Sequence, residues 1–400
     1  MKCLLFALAA IVLILQASCN NTDQDRSISI NKEGIPVISL EKISEKGELN
    51  FSDLAEDFEI IKLETNQDCL IDRAMRSYVS EDYIIISTIN NGLLLFSRSG
   101  SFIRAISKKG KGPGEIDDPN CNIEFDETSK SLFIFNRFSK TKTLYCFNIE
   151  SGTYANITLQ HDVRPRDIIL INDSTLIVST MATQGFPSDC PVYAQTLSGR
   201  LLWKIKHTNS NGATNGGISL VDEQVYFKYL WGDDTLFTIK NGKLFPHSIY
   251  NSSSKIYLSG KQESIGDIYL GISVLNNETI SGSFSAIIGY KESNMPGIIM
   301  PEFEERTHFI YNTDKGKVTI IDKIRDDILG SEKNLRAPQT NGFTVIKFQA
   351  TEIFELAEKL ESDPETPEEI KLRVLGIRDQ ININDNPILL IGKMKKAKIF

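Results

Sequence analysis

Residues 83–106 read YIIISTINNGLLLFSRSGSFIRAI, and this stretch decides the fold class. Tyr83 to Ser87, Leu93 to Phe96 and Phe102 to Ile106 are short runs rich in β-branched, aromatic and leucine side chains, too short for helices. Asn90-Asn91-Gly92 joins the first two as a hairpin turn, because Asn and Gly accept the backbone angles such a turn demands. Ser97-Arg98-Ser99-Gly100 then turns the chain again. Three strands with tight turns indicate an antiparallel sheet.

Outward from this stretch the scheme repeats. Phe58 to Leu63 is a strand upstream of it. Downstream, a second unit runs through Ile123 to Phe125, Leu132 to Phe135 and Thr143 to Phe147 before the turn Glu150-Ser151-Gly152. A third has Asp167 to Leu170, Thr175 to Val178, Val192 to Gln195 and Leu201 to Ile205. A fourth has Ile218 to Leu220, Gln224 to Phe227 and Thr235 to Ile239, closing on Asn241-Gly242. Strands grouped in fours at a period of about 40 to 50 residues are the pattern of β-propeller blades. One four-stranded sheet cannot bury both its faces alone, whereas blades in a ring cover one another. A β-sandwich would alternate in the same way but would not need so many strands.

The run Lys108-Lys109-Gly110-Lys111-Gly112-Pro113-Gly114-Glu115 sets glycines beside lysines, as a phosphate cradle does. The spacing is not that of a P-loop, and no amphipathic helix follows it. Its glycines suit a tight connection between blades.

At this run the chain resembles a known family. Gly100 to Arg104, Gly110 to Glu115, Pro119 and Ile123 to Asp126 are similar to the repeat of NHL-type propellers. More closely they resemble the six-bladed β-propeller lipoproteins of Gram-negative gut bacteria. Leu54 to Thr65 and Asn384 to Leu390 resemble that family's opening and ending, so the likeness spans nearly the whole mature chain. It implies six blades and brings no catalytic residues with it.

One segment, 351–380, is expected to be helical. Ile353, Phe354, Leu356, Ala357 and Leu360 recur at helical spacing, and Ile370, Val374 and Ile377 do so again after Thr366-Pro367-Glu368-Glu369. Thr366 is the expected N-cap, with Pro367 at the first helical position. The two helices read as an insertion in the last blade, a packed cap on the outside or bottom of the ring.

The N-terminus reads as an address. Met1-Lys2 precedes an uncharged apolar run from Cys3 to Leu15, short for a membrane span and right for an export signal. Leu15-Gln16-Ala17-Ser18-Cys19 resembles the lipobox of bacterial lipoproteins, in which the cysteine is acylated; Gln16 stands where that family has an aliphatic residue. The expected organisation is a signal peptide over 1–18, a tether over 19–36 anchored by Cys19 to the outer membrane, and the propeller over 37–400. An ordinary signal peptide would instead leave Cys19 a plain thiol. Net charge −8 and a pI near 5.3 argue against a nucleic-acid partner.

Cys69, Cys121, Cys146 and Cys190 remain after Cys3 and Cys19 are set aside. An exported protein permits disulfides, and four cysteines allow three pairings or none. Cys121 precedes the first strand of its unit and Cys146 lies on the third. A whole strand should separate them, which excludes a bridge. None has the close pairing of a zinc site.

His161, His207, His247 and His308 form no local metal motif, and no G-x-S-x-G elbow is present. The acids of Asp233-Asp234 and Asp326-Asp327 suit turns. No catalytic residue, metal ligand or cofactor is therefore assigned. The leading expectation is a non-catalytic binding or scaffold module for a protein, peptide or glycan. The alternatives are a metal-dependent hydrolase or lactonase-like enzyme at the central channel, or a structural subunit of an envelope assembly. Finally, the strand at Glu59 to Leu63 and that at Ile388 to Gly392 should pair and close the ring, since each would otherwise leave an open edge.

Overall fold

Ile84, Ile85 and Ile86 are all fully buried, although neighbouring residues of a strand face opposite ways. Ile85 packs with Leu95, Phe125 and Leu132 on one side, while Ile84 and Ile86 pack with Phe96, Leu389 and Ile391 on the other. Each sheet is thus pressed between two neighbours, which explains why its strands read as unbroken apolar runs.

The computed structural model describes residues 27–72, 74–110, 115–116, 121–135, 141–181, 190–206, 216–221, 223–229, 234–251, 268–276, 279–292, 299–303, 307–331 and 342–395. They form a six-bladed β-propeller. The first blade comprises Ala74–Val79, Tyr83–Thr88, Gly92–Ser97 and Phe102–Ser107, in that order from the axis outward. The second comprises Asn122–Asp126, Ser131–Phe135, Thr141–Asn148 and Tyr154–Val163. The third comprises Pro165–Ile171, Thr175–Thr180, Val192–Thr196 and Leu201–Ile205. The fourth comprises Gly216–Val221, Gln224–Tyr229, Thr235–Lys240 and Lys243–Asn251. The fifth comprises Ile268–Asn276, Thr279–Glu292, Thr307–Asn312 and Lys317–Arg325, with Ile299–Phe303 beside its second strand. The sixth pairs Phe343–Phe348 with Ile388–Met394 and then with a strand from the other end of the chain, Ala55–Lys62. Ring closure by the two chain ends is as expected: Ile388 stands opposite Lys62 and Leu390 opposite Ile60.

The N-terminal segment does more than close the ring. It supplies β1 (Ile28–Ile30), β2 (Pro36–Ser39), β3 (Lys46–Asn50), the short helix α1 (Phe51–Leu54) and β4 (Ala55–Lys62). Strand β2 adds in parallel to the outer edge of the fourth blade, β3 adds in parallel to that of the fifth, and β4 completes the sixth. This belt carries its own apolar anchors. Ile38, Leu40 and Ile43 fill the seam between the fourth and fifth blades. Leu49 and Leu54 pack on the far face of the fifth. Within the stretch 19–36 expected as a tether, Ile28–Ile30 forms a hairpin with Pro36–Ser39, while 19–26 lie outside the described residues.

Strands alternate in direction, which sorts the connections onto two rims. Connections from first to second and from third to fourth strand share the lower rim, and all are tight: 80–82, 98–101, 127–130, 149–153, 172–174, 197–200, 241–242 and 313–316 among them. On the opposite rim the connection 89–91, from the second to the third strand of the first blade, is tight as well: Gly92 has φ +74°, and a Cβ there would strike the Ser107 carbonyl. The connections that start and end at the upper rim include the short 89–91 and 164 and the longer 108–121, 181–191, 206–215, 252–267 and 349–387, of which 111–114, 117–120, 182–189, 207–215 and 252–267 lie outside the described residues.

The connection 349–387 holds α2 (Ala350–Ser362) and α3 (Glu368–Arg378). Phe343 lies under Arg98, and Lys393 Nζ is 2.7 Å from Glu81, so both sit by the lower turns of the first blade. The helices between them therefore leave and return at the upper rim, not the bottom, and pack against the outer strand of the sixth blade through Phe58 and Ile60. They bury Ile353, Ala357, Leu360, Val374 and Ile377 against Leu329, Phe348 and Ile388. Pro367, rather than Thr366, is the N-cap of α3; the Thr366 hydroxyl donates to Asp363 at 2.6 Å.

Candidate functional site

The inner strands of the blades start at the upper rim, and their first residues meet around the axis. Arg76 Nη1 donates to Asn122 Oδ1 at 2.5 Å, and Asn122 Nδ2 donates to the Arg166 carbonyl at 2.5 Å. Asp167 Oδ2 lies 3.3 Å from Arg166 Nε and accepts from the Ile218 N–H at 3.4 Å. The Asp167 N–H donates to Ser179 Oγ at 3.1 Å. A polar girdle thus links the first four blades. Asn122 is almost fully buried, so each of its amide bonds is held in a setting where losing a partner is costly. In the fourth blade the inner strand begins with Gly216 and Gly217, which add no side chain to the mouth; a Cβ on Gly216 would enter the Phe227 ring.

Glu124 stands one pleat deeper on the same strand as Asn122. It keeps some solvent contact, yet protein surrounds it, and its pKa is pushed up to about 8. Loss of hydration on burial is the main cause, and the negative charges of Asp167 and Asp126 add to it. At neutral pH its carboxyl is mostly protonated and can donate a hydrogen bond. The Tyr78 phenol is likewise held well above the usual range, by burial first and then by Glu124; its hydroxyl donates to the Phe125 carbonyl at 3.2 Å.

None of the residues singled out in the sequence joins this girdle. His247 is on the outer strand of the fourth blade, edge-on to Tyr226 with ring centroids 5.4 Å apart, and burial lowers its pKa. His161 and His308 belong to an outer and a third strand, away from the axis, and His207 lies outside the described residues. Among the described residues no group of three His, Cys, Asp or Glu side chains is placed to hold a metal ion. Cys19, the segment 1–18 and Asp233 also lie outside the described residues.

Other expectations fall on structural features. At the glycine run the Gly110 N–H donates to the Ile116 carbonyl and the Ile116 N–H to the Lys108 carbonyl, between the first two blades, while 111–114 are outside the described residues. Asp326 does serve a turn, accepting from the Ile328 and Leu329 N–H groups. Asp327 instead reaches the belt, accepting from the Ser52 N–H at 3.0 Å and hydroxyl at 2.5 Å. Cys69, Cys121, Cys146 and Cys190 are free thiols, and Ser131–Phe135 lies between the strands next to Cys121 and carrying Cys146, as expected.

The girdle had a signal in the sequence that went unread. Its contacts link residues 46, 44 and 51 apart, which is the blade period. Polar residues recurring at that interval, at the heads of the inner strands of the first three blades, mark the axis.

Among the described residues no helix is long and apolar enough to cross a membrane. No protein of curated function matches the sequence. In structure the chain is similar to a Bacteroides fragilis protein named for its inferred export, with a TM-score of 0.61 at 13% identity, over 90% of this chain and all of that one. A DUF4221 family member from Bacteroides vulgatus aligns with a TM-score of 0.39 at 11% identity, over 67% of this chain and 85% of that one. The first likeness is one of fold. At the level of sequence, the model of the domain of unknown function DUF4934 matches residues 35–393, from the second strand of the belt to the strand that closes the ring, and the chain belongs to that family.

Proposed function

We propose that the protein is an envelope-anchored propeller that holds a protein, peptide or glycan partner at its upper rim without reacting with it. The observation that carries this reading is the inequality of the two rims: the lower is built of tight turns, and the upper bears the long connections, both helices and the polar girdle. Recognition residues are commonly set on connections held by a rigid frame. In the girdle, donors and acceptors satisfy one another across four blades, an arrangement that presents a preformed polar surface. Anchoring is assigned to Cys19 through the lipobox-like stretch ending there, and the inferred export of the B. fragilis protein is in keeping with it.

Signal-free protein screened against peptide and glycan arrays should retain a ligand, return it chemically intact, and lose it on Asn122→Ala. Turnover of a retained ester, lactone or glycoside, with or without added divalent cations, would replace this reading with the hydrolase one. For the anchor, a fatty-acid probe should label the wild type in cells and not Cys19→Ala.

A further inference from the structure

Two exposed apolar side chains stand beside the point where the chain enters the ring. Strand β1 is the outermost of the fourth blade's sheet, and the Ser27 carbonyl just before it accepts from the Ser39 N–H at 2.7 Å. Ile28 stands opposite Ile38, and Ile38 opposite Tyr250; all three turn to the seam with the fifth blade. Ile30 lies two residues further along the same face, since successive side chains alternate. Phe245 shares this face as well, because it stands opposite Thr238, and Thr238 opposite Tyr226 of the same seam. The fifth blade covers Ile38, Tyr226 and Tyr250, but Ile30 is 60% and Phe245 45% exposed. Every residue of this outer corner, 27–39 and 234–251, is described.

The two turns at the corner carry lysine. Lys32 is in the turn from β1 to β2, and Lys240 and Lys243 flank Asn241-Gly242; all three are exposed, against one carboxylate in these turns, that of Glu33. Both turns are preformed. Asn31 Oδ1 accepts from the Glu33 and Ile35 N–H groups, and Gly242 lies so close to Trp203 that a Cβ would strike its ring. The length of chain ahead of the corner says what covers it. Cys19 precedes Ser27 by eight residues, which span at most about 29 Å. An acyl chain on Cys19 therefore keeps the corner within that distance of a bilayer. A phospholipid surface accepts apolar side chains flanked by lysines, since the apolar groups leave water and the ammonium groups meet phosphates. We propose that this corner of the fourth blade rests on the phospholipid surface that holds the anchor, with Ile30 and Phe245 entering the headgroup layer. The inference rests on the anchored reading above and adds an orientation to it. The patch is too small to hold the protein on a bilayer by itself, but at the local lipid concentration an anchor supplies it is enough to fix how the ring sits. The ring then stands on edge, its axis along the membrane plane, and the upper rim opens sideways toward partners held at the same surface.

The test is photo-crosslinking to lipid. The acylated protein, purified from cells in detergent, is returned to phosphatidylcholine vesicles containing phosphatidylglycerol and a diazirine-bearing phospholipid, and the labelled peptides are mapped. Label should concentrate in 28–36 and 240–247. Ile30→Ser with Phe245→Ser should lower it by about tenfold or more, the loss expected when two apolar side chains stay in water. Both side chains are exposed, so the double variant should melt with the wild type. Lys32→Glu with Lys243→Glu should lower the label several-fold, and leaving out phosphatidylglycerol should remove most of that difference. Label concentrated in 349–387, where Leu372 and Ile383 are also exposed, label spread evenly round the ring, or indifference to both double variants overturns the inference. A two-chain mass in detergent that Ile30→Ser with Phe245→Ser reduces to one would assign the corner to a second copy, and overturns it too. If the fatty-acid probe fails to mark Cys19, the anchored reading falls and this inference with it. A marked Cys19 without label at the corner removes this inference alone.

Discussion

The first three blades and the last three are made of similar sheets but are completed differently. Each of the first three is four consecutive strands, and the seams between them are filled by those strands and the connections next to them, such as Ile116, Cys121 and Cys190. Each of the last three also takes a strand from residues 28–62, and the seam between the fourth and fifth is filled by Ile38, Leu40 and Ile43 from that belt. The first half is local in sequence. The second half cannot be completed until the chain's two ends have met, and contacts of such long separation form late because loop closure is costly before they repay it. Consequently the ring should behave as two halves joined by the belt, with the second half the more easily opened.

The severest way to break the comparison is a chain ending at Asp385. It lacks Ile388–Met394, so both Phe343–Phe348 and β4 lose their partner. Calorimetry should show no cooperative transition near the wild-type temperature; an unchanged melt would sink the two-ended closure. Next, Phe51→Ala removes a fully buried belt ring and should cost about 3–5 kcal/mol. Hydrogen exchange should then rise in the outer strands of the fourth to sixth blades while the first three keep their protection.

A change in the first half should act through pH instead. Glu124 has a folded pKa of about 8, raised above the unfolded carboxyl's, so its contribution to stability is complete below about pH 4 and is lost as pH rises through 8. The wild type should therefore lose on the order of 3 kcal/mol between pH 5 and pH 9 through this group, and Glu124→Gln should flatten that slope in denaturant titrations. Asn386→Ala tests the junction of the halves. Its amide donates to the Glu64 and Cys69 carbonyls and accepts from the Ile71 N–H, so the variant strands three buried backbone groups and should lose about 2 kcal/mol in urea unfolding. The smallest effect belongs to the exposed ion pairs that flank β3. Lys317→Ala, which removes the 2.6 Å contact with Glu45, should cost less than about 1 kcal/mol, and that cost should shrink in high salt.

What was legible in the sequence follows from the same division. The second and third strands of the early blades announce themselves because they are pressed on both faces, as in Ile84 to Ile86 and Leu93 to Phe96. The innermost strand Ala74–Val79 was not foreseen, since it heads toward the axis with Arg76 and Ser77 and offers no apolar run. Strands β1 to β3 are only three to five residues long and show no repeated apolar pattern, so nothing local separates them from a tether. The pairing of β4 with the final strand was readable because both are long and apolar and neither had another partner in sequence. The girdle was hidden for a different reason. Its members stand one blade apart, and a polar residue at the head of a strand looks like any turn residue until the ring brings those of three blades together.

The cysteines of the early half have a use of their own. Cys69 sits in the seam between the sixth and first blades, Cys121 in the next and Cys190 in the one after, each in a separate apolar cluster. No two of these three share a seam, while the half-buried Cys146 packs against the cluster that holds Cys190. Each of the three buried thiols meets solvent only when its own pair of blades parts. The rates at which an alkylating reagent modifies the three would therefore time the opening of three successive joints in one molecule, without a label being added.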